Sequence, residues 1–247
     1  MSSTVFRSKP YESKSVTWDA ILQRNLQIPM TQREYAWTGN ELKKFLDDIF
    51  KLFDEGKYIY KMGSIIILQL EGCNDVYDGQ QRTLTIIIFL HCLSLIEPKL
   101  KTKIKMLLTV DNELDDLTEQ QQLIKDAYGV KTIPKIYCVF PPDTQALVDI
   151  FNGNADLFEN NMEGRVSRID PAERYELDGE TGEDECDDKP LYPLYKCNVC
   201  AASGVSGGGL RKASIMRHMV ACHNITSKCL ESSSKLYDAY DYISTYI

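Results

Sequence analysis

The stretch that most constrains this chain is Val76-Tyr77-Asp78-Gly79-Gln80-Gln81-Arg82-Thr83, followed at once by Leu84 to Ile96. A short apolar strand runs into a polar turn carrying one acid, two amides and one guanidinium, and a long apolar helix then starts. No other segment places so many hydrogen-bonding groups between two pieces that must both be buried. A helix start presents unpaired backbone N–H groups and a partial positive charge, which makes this turn a natural seat for an anion such as phosphate.

The flanking chain reads as a soluble α+β domain. Thr17 to Arg24 is expected to form a short helix capped by Thr17, and Leu26-Gln27-Ile28 should be extended because Pro29 pushes the preceding residue out of the helical region. Thr38-Gly39-Asn40-Glu41 fits a capping box, and Leu42, Phe45, Leu46, Ile49, Leu52 and Phe53 follow at helical spacing up to Gly56. Tyr58 to Met62 and Ser64 to Leu70 are β-rich, and the second run is apolar enough to predict burial of both faces. The helix after Arg82 should end before Pro98. Asp111 to Tyr128 reads as an exposed helix, Lys135 to Phe140 as a strand, and Asp143 as the cap of a helix reaching Gly153.

Charge is unevenly distributed. The 247-residue chain carries a formal −8, which argues against non-specific nucleic-acid binding by the molecule as a whole. Asp170 to Lys189 holds ten acids against two bases, whereas Lys196 to Lys228 holds five bases and no acid. The first of these predicts a solvated linker over residues 166–192. The second is a local basic module able to meet a polyanion. Residues 1–15 lack the apolar core of a secretory signal, and Ile86 to Ile96 is too short and polar-interrupted to span a bilayer. Eight cysteines without such a signal suggest reduced thiols or metal ligands in an intracellular protein, cytoplasmic or nuclear.

Two polar motifs stand at strand ends: Ile28-Pro29-x-x-Gln32-Arg33-x-Tyr35-x-Trp37, and Asp78-Gly79-Gln80-Gln81-Arg82. Arg33 and Arg82 have the fork geometry that clamps phosphate oxygens. Asp78 could hold a divalent cation such as Mg2+ or orient a water. Gln32, Gln80 and Gln81 could position a nucleophile or read a base edge, and Tyr35 and Trp37 could stack on a nucleobase. Each residue taken singly has a plainer interpretation: Asp-Gly is a common turn, Arg82 can pair with a neighbouring carboxylate, and Trp37 can plug a core.

Taken in order, the two motifs, the capped amphipathic helix between them and Gly63-Ser64-Ile65-Ile66 resemble the GmrSD N-terminal restriction family. The resemblance implies a ParB/sulfiredoxin-like mixed sheet with helices over residues 1–165, binding and hydrolysing a nucleoside triphosphate in defence against foreign DNA. It implies Asp78, Gln81 and Arg82 as the catalytic set, with Gln32, Arg33, Tyr35, Trp37, Gly79 and Gln80 around the nucleotide. Thr31 departs from the aromatic residue usual before Gln-Arg in that family. Ser234 to Tyr246, with Leu236, Ala239, Tyr240 and Ile243, resembles a later family helix, assigned here to residues 225–247. The family's larger members carry a downstream helical region and a His-Asn-His type nuclease. This chain reaches Ile247 without room for either, which reads as a fragment, a degenerate copy or the NTPase part of a split system with a nuclease-bearing partner chain.

A second constellation lies in residues 193–224. Cys197 and Cys200, then His218 and His223, give a two-Cys/two-His order with seventeen residues between the pairs and four between the histidines. Thiolates and imidazoles suit tetrahedral Zn2+, which would organise a segment too poor in apolar residues to fold alone. Cys222 offers a substitute for His223. Tyr195-Lys196 before the first cysteine resembles the leading strand of a zinc finger and Leu210 to Met219 its helix, although Gly207-Gly208-Gly209 makes the middle long. Arg211, Lys212 and Arg217 on that helix are candidate DNA-phosphate contacts. A flexible loop with incidental Cys and His is the plainer alternative, and His91, inside an apolar helix, is expected to be a packed core residue. Two functions follow: a nucleoside-triphosphate hydrolase, or a non-catalytic adaptor that meets nucleic acid or protein through its finger.

Overall fold

A computed structural model describes residues 13–57, 59–70, 72–111, 113, 117–155, 166–168, 195–198, 200, 218 and 234–247. The chain is α+β around a four-stranded mixed sheet. In chain order the elements are α1 (Trp18–Leu22), β1 (Leu26–Ile28), α2 (Gly39–Asp54), β2 (Ile66–Gln69), β3 (Asn74–Asp78), α3 (Gln80–Ile96), α4 (Pro98–Leu108), β4 (Thr109–Asp111), α5 (Glu119–Tyr128), β5 (Thr132–Pro134), β6 (Ile136–Cys138), α6 (Pro141–Phe151), β7 (Val166–Arg168), β8 (Tyr195–Cys197) and α7 (Leu236–Tyr246). The main sheet has the order β2-β3-β1-β6. Central β1 runs parallel to β3, with Leu26 opposite Asn74, and to β6, with Ile28 opposite Cys138. β2 joins β3 in the antiparallel sense, with Ile67 opposite Val76. β4 pairs with β5 and β7 with β8, each as an antiparallel two-stranded piece.

The core forms around α3. Leu84, Ile86, Ile87, Ile88 and Cys92 bury several of its sides at once, because α4 and α7 pack on it, Phe45 of α2 meets its Phe89, and residues of the sheet share the same core. Burying such side chains contributes roughly 1.5–3 kcal/mol each, which offsets the polar turn at the helix start. The capping box expected at Thr38 is present, with Thr38 N–H donating to the Glu41 carboxylate at 2.8 Å. Leu42, Phe45 and Leu46 then face inward, while Phe53 lies beyond the core and is exposed. Ile124, Ile133 and Val148 make a smaller cluster beneath α5, which covers only the second half of the expected helix because Asp111 belongs to β4.

Three expectations are corrected. Ser64 to Leu70 is not buried on both faces: only Ile66–Gln69 is a strand, it lies at the sheet edge, and Ile66, Leu68 and Leu70 are each 48 % exposed. A largely apolar run reads as a central strand, but β2 ends the strand order and pairs only with β3 among the described residues. Residues 59–63, within the other β-rich run, form no strand. Asp143 does not cap α6. Phe140 occupies the cap position, and Asp143 is buried in the first turn, tied to other parts of the chain. Within the expected linker, Val166–Arg168 is a strand; residues 169–192 lie outside the described residues.

The C-terminal helix is an internal element. Leu236, Tyr237, Ala239, Tyr240 and Ile243 belong to the main core, and α7 packs on α2, α3 and α6. Hydroxyls on α7 and just before it are matched to carboxylates, of which Asp149 and Asp143 are buried. Tyr237 Oη donates to Asp149 at 2.5 Å, Ser234 Oγ donates to Asp143 at 2.5 Å, and Tyr246 Oη donates to Asp47. His91 is packed as expected, its ring 4.9 Å from that of Phe151. Burial pushes its imidazole down to about 4, against a weaker opposing hydrogen bond with the Ile150 backbone.

Candidate functional site

The two motifs meet, and amide side chains join them. Parallel pairing of β1 and β3 delivers the loop after Ile28 and the turn after Asp78 to the same end of the sheet. Gln32 Nε2 donates to the Tyr77 carbonyl at 2.9 Å, and Gln80 Nε2 donates to the Arg33 carbonyl at 3.1 Å. Gln81 does most. Its Oε1 accepts from Ala36 N–H at 2.7 Å and Trp37 N–H at 3.3 Å, while its Nε2 donates to the Glu34 carbonyl at 3.1 Å. A loop with no strand partner needs its backbone groups satisfied, and these amides supply the partners that a sheet neighbour would otherwise give.

Tyr35 and Asp143 complete the anchoring. Tyr35 is 1 % exposed, with its hydroxyl 2.8 Å from Thr85 Oγ1 and its N–H donating to Asp143 Oδ2 at 2.9 Å. A ring so enclosed has no face for a nucleobase, so its place is in the core and not in a stacking platform. Burial raises the Asp143 carboxyl above the usual range, opposed by the hydrogen bonds from Ser234 and from Tyr35 N–H, with the nearby Glu34 charge adding to the rise. Neither Thr85 nor Asp143 was singled out as a site residue. A lone Thr in an apolar helix and an Asp after two prolines carry no local signal of a partner 50 or 108 residues away.

The helix start is covered. Gly79 sits at φ 88°, and a Cβ there would approach Ile65 Cγ1 to 3.0 Å, so the turn is both conformationally and spatially reserved for glycine. Gly79, Gln80 and Gln81 are buried, which closes the anion seat that the bare turn suggested. One polar atom is left over: Gln80 Oε1 is buried and has no partner among the described residues.

Arg82 reaches sideways. Its Nη1 donates to the Met62 carbonyl at 2.6 Å and its Nη2 to the Ser64 carbonyl at 2.8 Å, with Asp78 Oδ2 3.7 Å from Nη2. It therefore braces the Met62–Ser64 bend, where Gly63 at φ 84° lets the guanidinium pass close to the backbone. This brace forms one wall of an open cleft of about 360 Å³, lined by Trp37, Glu41, Lys44, Phe45, Asp48, Tyr60, Lys61, Met62, Gly63 and Arg82. Trp37 stands against Phe45, ring centroids 6.2 Å apart. Tyr60 donates to Asp48 at 3.1 Å, and burial first, then that carboxylate, raises its phenol. Glu41, Lys44 and Asp48 repeat at helical spacing beside Leu42, Phe45 and Leu46, a polar stripe that could have been found in the sequence. Asp78 and Arg33 remain exposed, Asp78 beside the cleft-lining Arg82, and Arg33 has no ion-pair partner among the described residues.

The matched span now has a structural meaning. Residues 18–185 match the family described as the GmrSD restriction endonuclease, N-terminal domain. The chain belongs to that family. A comparison with curated proteins found no match. Both motifs of this GmrSD N-terminal domain, and the cleft beside them, fall inside the matched residues; β8 and α7, which complete the same core, fall outside. Among the described residues, no helix is long and apolar enough to cross a membrane.

The second constellation comes together in part. Cys197 Sγ, Cys200 Sγ and a ring nitrogen of His218 all lie within 4.8 Å of one another. Cys200 Sγ is 3.3 Å from His218 Nε2, and Cys200 N–H points at Cys197 Sγ at 3.5 Å. Ligands of one tetrahedral ion with bonds of 2.0–2.3 Å stand roughly 3.5 Å apart, so this set fits a thiophilic cation. His223, Cys222, Arg211, Lys212 and Arg217 lie outside the described residues. Tyr195–Cys197, expected as the leading strand of a finger, is β8 and pairs with β7, far upstream of the first cysteine; residues 201–217 lie outside the described residues. Cys92 and Cys138 are core thiols, and no disulfide joins the described cysteines.

Proposed function

We propose that this domain binds a nucleoside triphosphate at the junction of its two motifs and hydrolyses it with a divalent cation, as part of a restriction or defence activity against foreign DNA. The observation that supports this most is the division of labour at the junction. The amides hold two turns rigidly together, and the side chains left facing outward are a cation, Arg33, and an acid, Asp78, beside a cleft bearing Trp37, Lys44, Lys61 and Arg82. Trp37 offers an aromatic surface for a base, and the three cations of the cleft suit phosphate oxygens. Mg2+ takes one or two carboxylates together with phosphate oxygens and water, and a single exposed Asp78 fits that donor set. The cation would supply charge neutralisation on the phosphates; Arg33 and Asp78 would bind and orient.

The test is nucleotide turnover by the purified full chain over a panel of triphosphates, with Mg2+ and with chelator. Asp78→Ala and Arg33→Ala are expected to lose at least tenfold in rate with unchanged melting temperature. Parent-level hydrolysis in both variants refutes the site. A second reading, a binding module without turnover, is favoured by the occupation of Gln81 and Arg82 in internal hydrogen bonds. Saturable nucleotide binding with no product in the same assay would establish it. On either reading the expected partners are DNA and a nuclease-bearing chain.

A further inference from the structure

The Cys/His cluster is not hung on the domain as a separate finger; it is built onto the core. Tyr195 and Cys197 are 2 % and 6 % exposed and belong to the main core, with Cys200 packed against it. Tyr195 Oη donates to Asp241 Oδ2 of α7 at 2.9 Å, in buried surroundings. The strand that delivers Cys197 is thus hydrogen-bonded to β7 on one side and latched to the C-terminal helix through Tyr195, two residues away.

We propose that Cys197, Cys200 and His218 bind a thiophilic divalent cation, Zn2+ in the cell, and that this ion is a clasp fixing α7 onto the domain core. The ion converts a short two-stranded piece with little apolar surface of its own into a rigid support. Tyr195 and the buried face of Cys197 transmit that rigidity to Asp241 and hence to α7. α7 in turn holds Asp149 through Tyr237. Metal occupancy and global stability are therefore one equilibrium, in contrast to a finger that folds and unfolds alone. The proposal is independent of what the cleft binds.

The test uses the full chain, purified in reductant. The metal content of the protein is measured, Co2+ is exchanged in as a spectroscopic probe, and thermal unfolding is followed by the fluorescence of Trp18 and Trp37, both of which pack on the main core. The expected result is one metal per chain, thiolate-to-Co2+ charge-transfer absorption, and a melting temperature lowered by about 5–10 °C on chelation from a hundredfold excess over Kd. Cys200→Ala should lose the absorption and the chelator effect together. His218→Cys should keep both, which covers the case in which Cys200→Ala does not fold. Tyr195→Phe should keep the metal and lose at least half of the chelator-induced shift. The clasp is overturned by a protein without stoichiometric metal, by chelation that leaves the tryptophan-reported transition in place, or by an undiminished shift in Tyr195→Phe.

Discussion

Replacing Gln81 by alanine separates a structural amide from a catalytic one. The side chain is 8 % exposed and makes three hydrogen bonds to the loop backbone, at 2.7, 3.1 and 3.3 Å. Alanine leaves Ala36 N–H, Trp37 N–H and the Glu34 carbonyl without their partner. A buried group deprived of its hydrogen bond costs about 1–3 kcal/mol, and the loop is near enough to solvent for water to satisfy part of the deficit, so the sum is about 2–4 kcal/mol. With a urea dependence of about 2 kcal/mol/M, the unfolding midpoint should fall by about 1–2 M. Gln81→Glu sharpens the comparison. It keeps an acceptor for the two N–H groups but sets a second acceptor against the Glu34 carbonyl, so an intermediate loss is expected. The midpoints are read from tryptophan fluorescence, to which Trp37 on the affected loop contributes. If Gln81→Ala unfolds at the parent midpoint while nucleotide turnover disappears, the amide acts on substrate and the structural account is wrong.

Two further outcomes follow from local geometry. Gly63→Ala would place a Cβ 2.4 Å from Arg82 Nη1 at φ 84°, so the guanidinium must leave the Met62 and Ser64 carbonyls; a loss of about 1–3 kcal/mol and faster proteolysis around residues 59–64 are expected, and parent-like protection would refute the brace. His91 gives a pH signature. Its folded value of about 4 lies below the ordinary 6.5, so the unfolded chain takes up the proton first as pH falls. The contribution is complete above about pH 6.5 and lost progressively down to about 4, by at most about 3 kcal/mol and nearer 2 for an incompletely buried ring. Urea midpoints of the parent and His91→Phe should diverge across that window, and parallel curves would refute it. Asp143, whose carboxyl is raised, tilts stability the opposite way in both proteins, so the difference between them isolates His91.

What was legible in the sequence was whatever is decided locally or by pattern. The capping box at Thr38 and Glu41 and the apolar α3 were readable because spacing and end signals fix them, whereas the meeting of the Gln32–Trp37 and Asp78–Arg82 turns and the helix from Leu236 were readable through the family resemblance. The roles within the site were not. Gln80, Gln81 and Arg82 carry groups equally suited to a ligand and to a carbonyl, and only the arrival of residues 33–37 and 62–64 decides between them. Edge position was hidden for the same reason: Ile65 to Leu68 is as apolar as any central strand, and its place at the end of the strand order among the described residues is a property of topology. Asp143 shows the limit most plainly, since its side chain serves Tyr35 and Ser234, neither of them near it in sequence.

That carboxylate also explains why the C-terminal helix belongs to the functional reasoning although it lies outside the family-matched residues. Asp143 Oδ1 receives the hydroxyl of Ser234 at the start of α7, and Oδ2 receives the N–H of Tyr35 in the motif loop. The loop is therefore held from two sides, by Gln81 on α3 and by Asp143 on α6, and the second hold depends on α7 being seated. A buried carboxylate with both oxygens occupied tolerates loss of one donor poorly, because the charge it leaves is costly to bury. Displacing α7 would thus weaken the placement of Arg33 and Trp37 without touching the motif residues themselves. Of the motif side chains, Gln32, Gln80, Gln81 and Arg82 are bound to backbone carbonyls or N–H groups and Tyr35 is in the core, so any chemistry at this end of the sheet falls to Arg33, Asp78 and the cleft beside them.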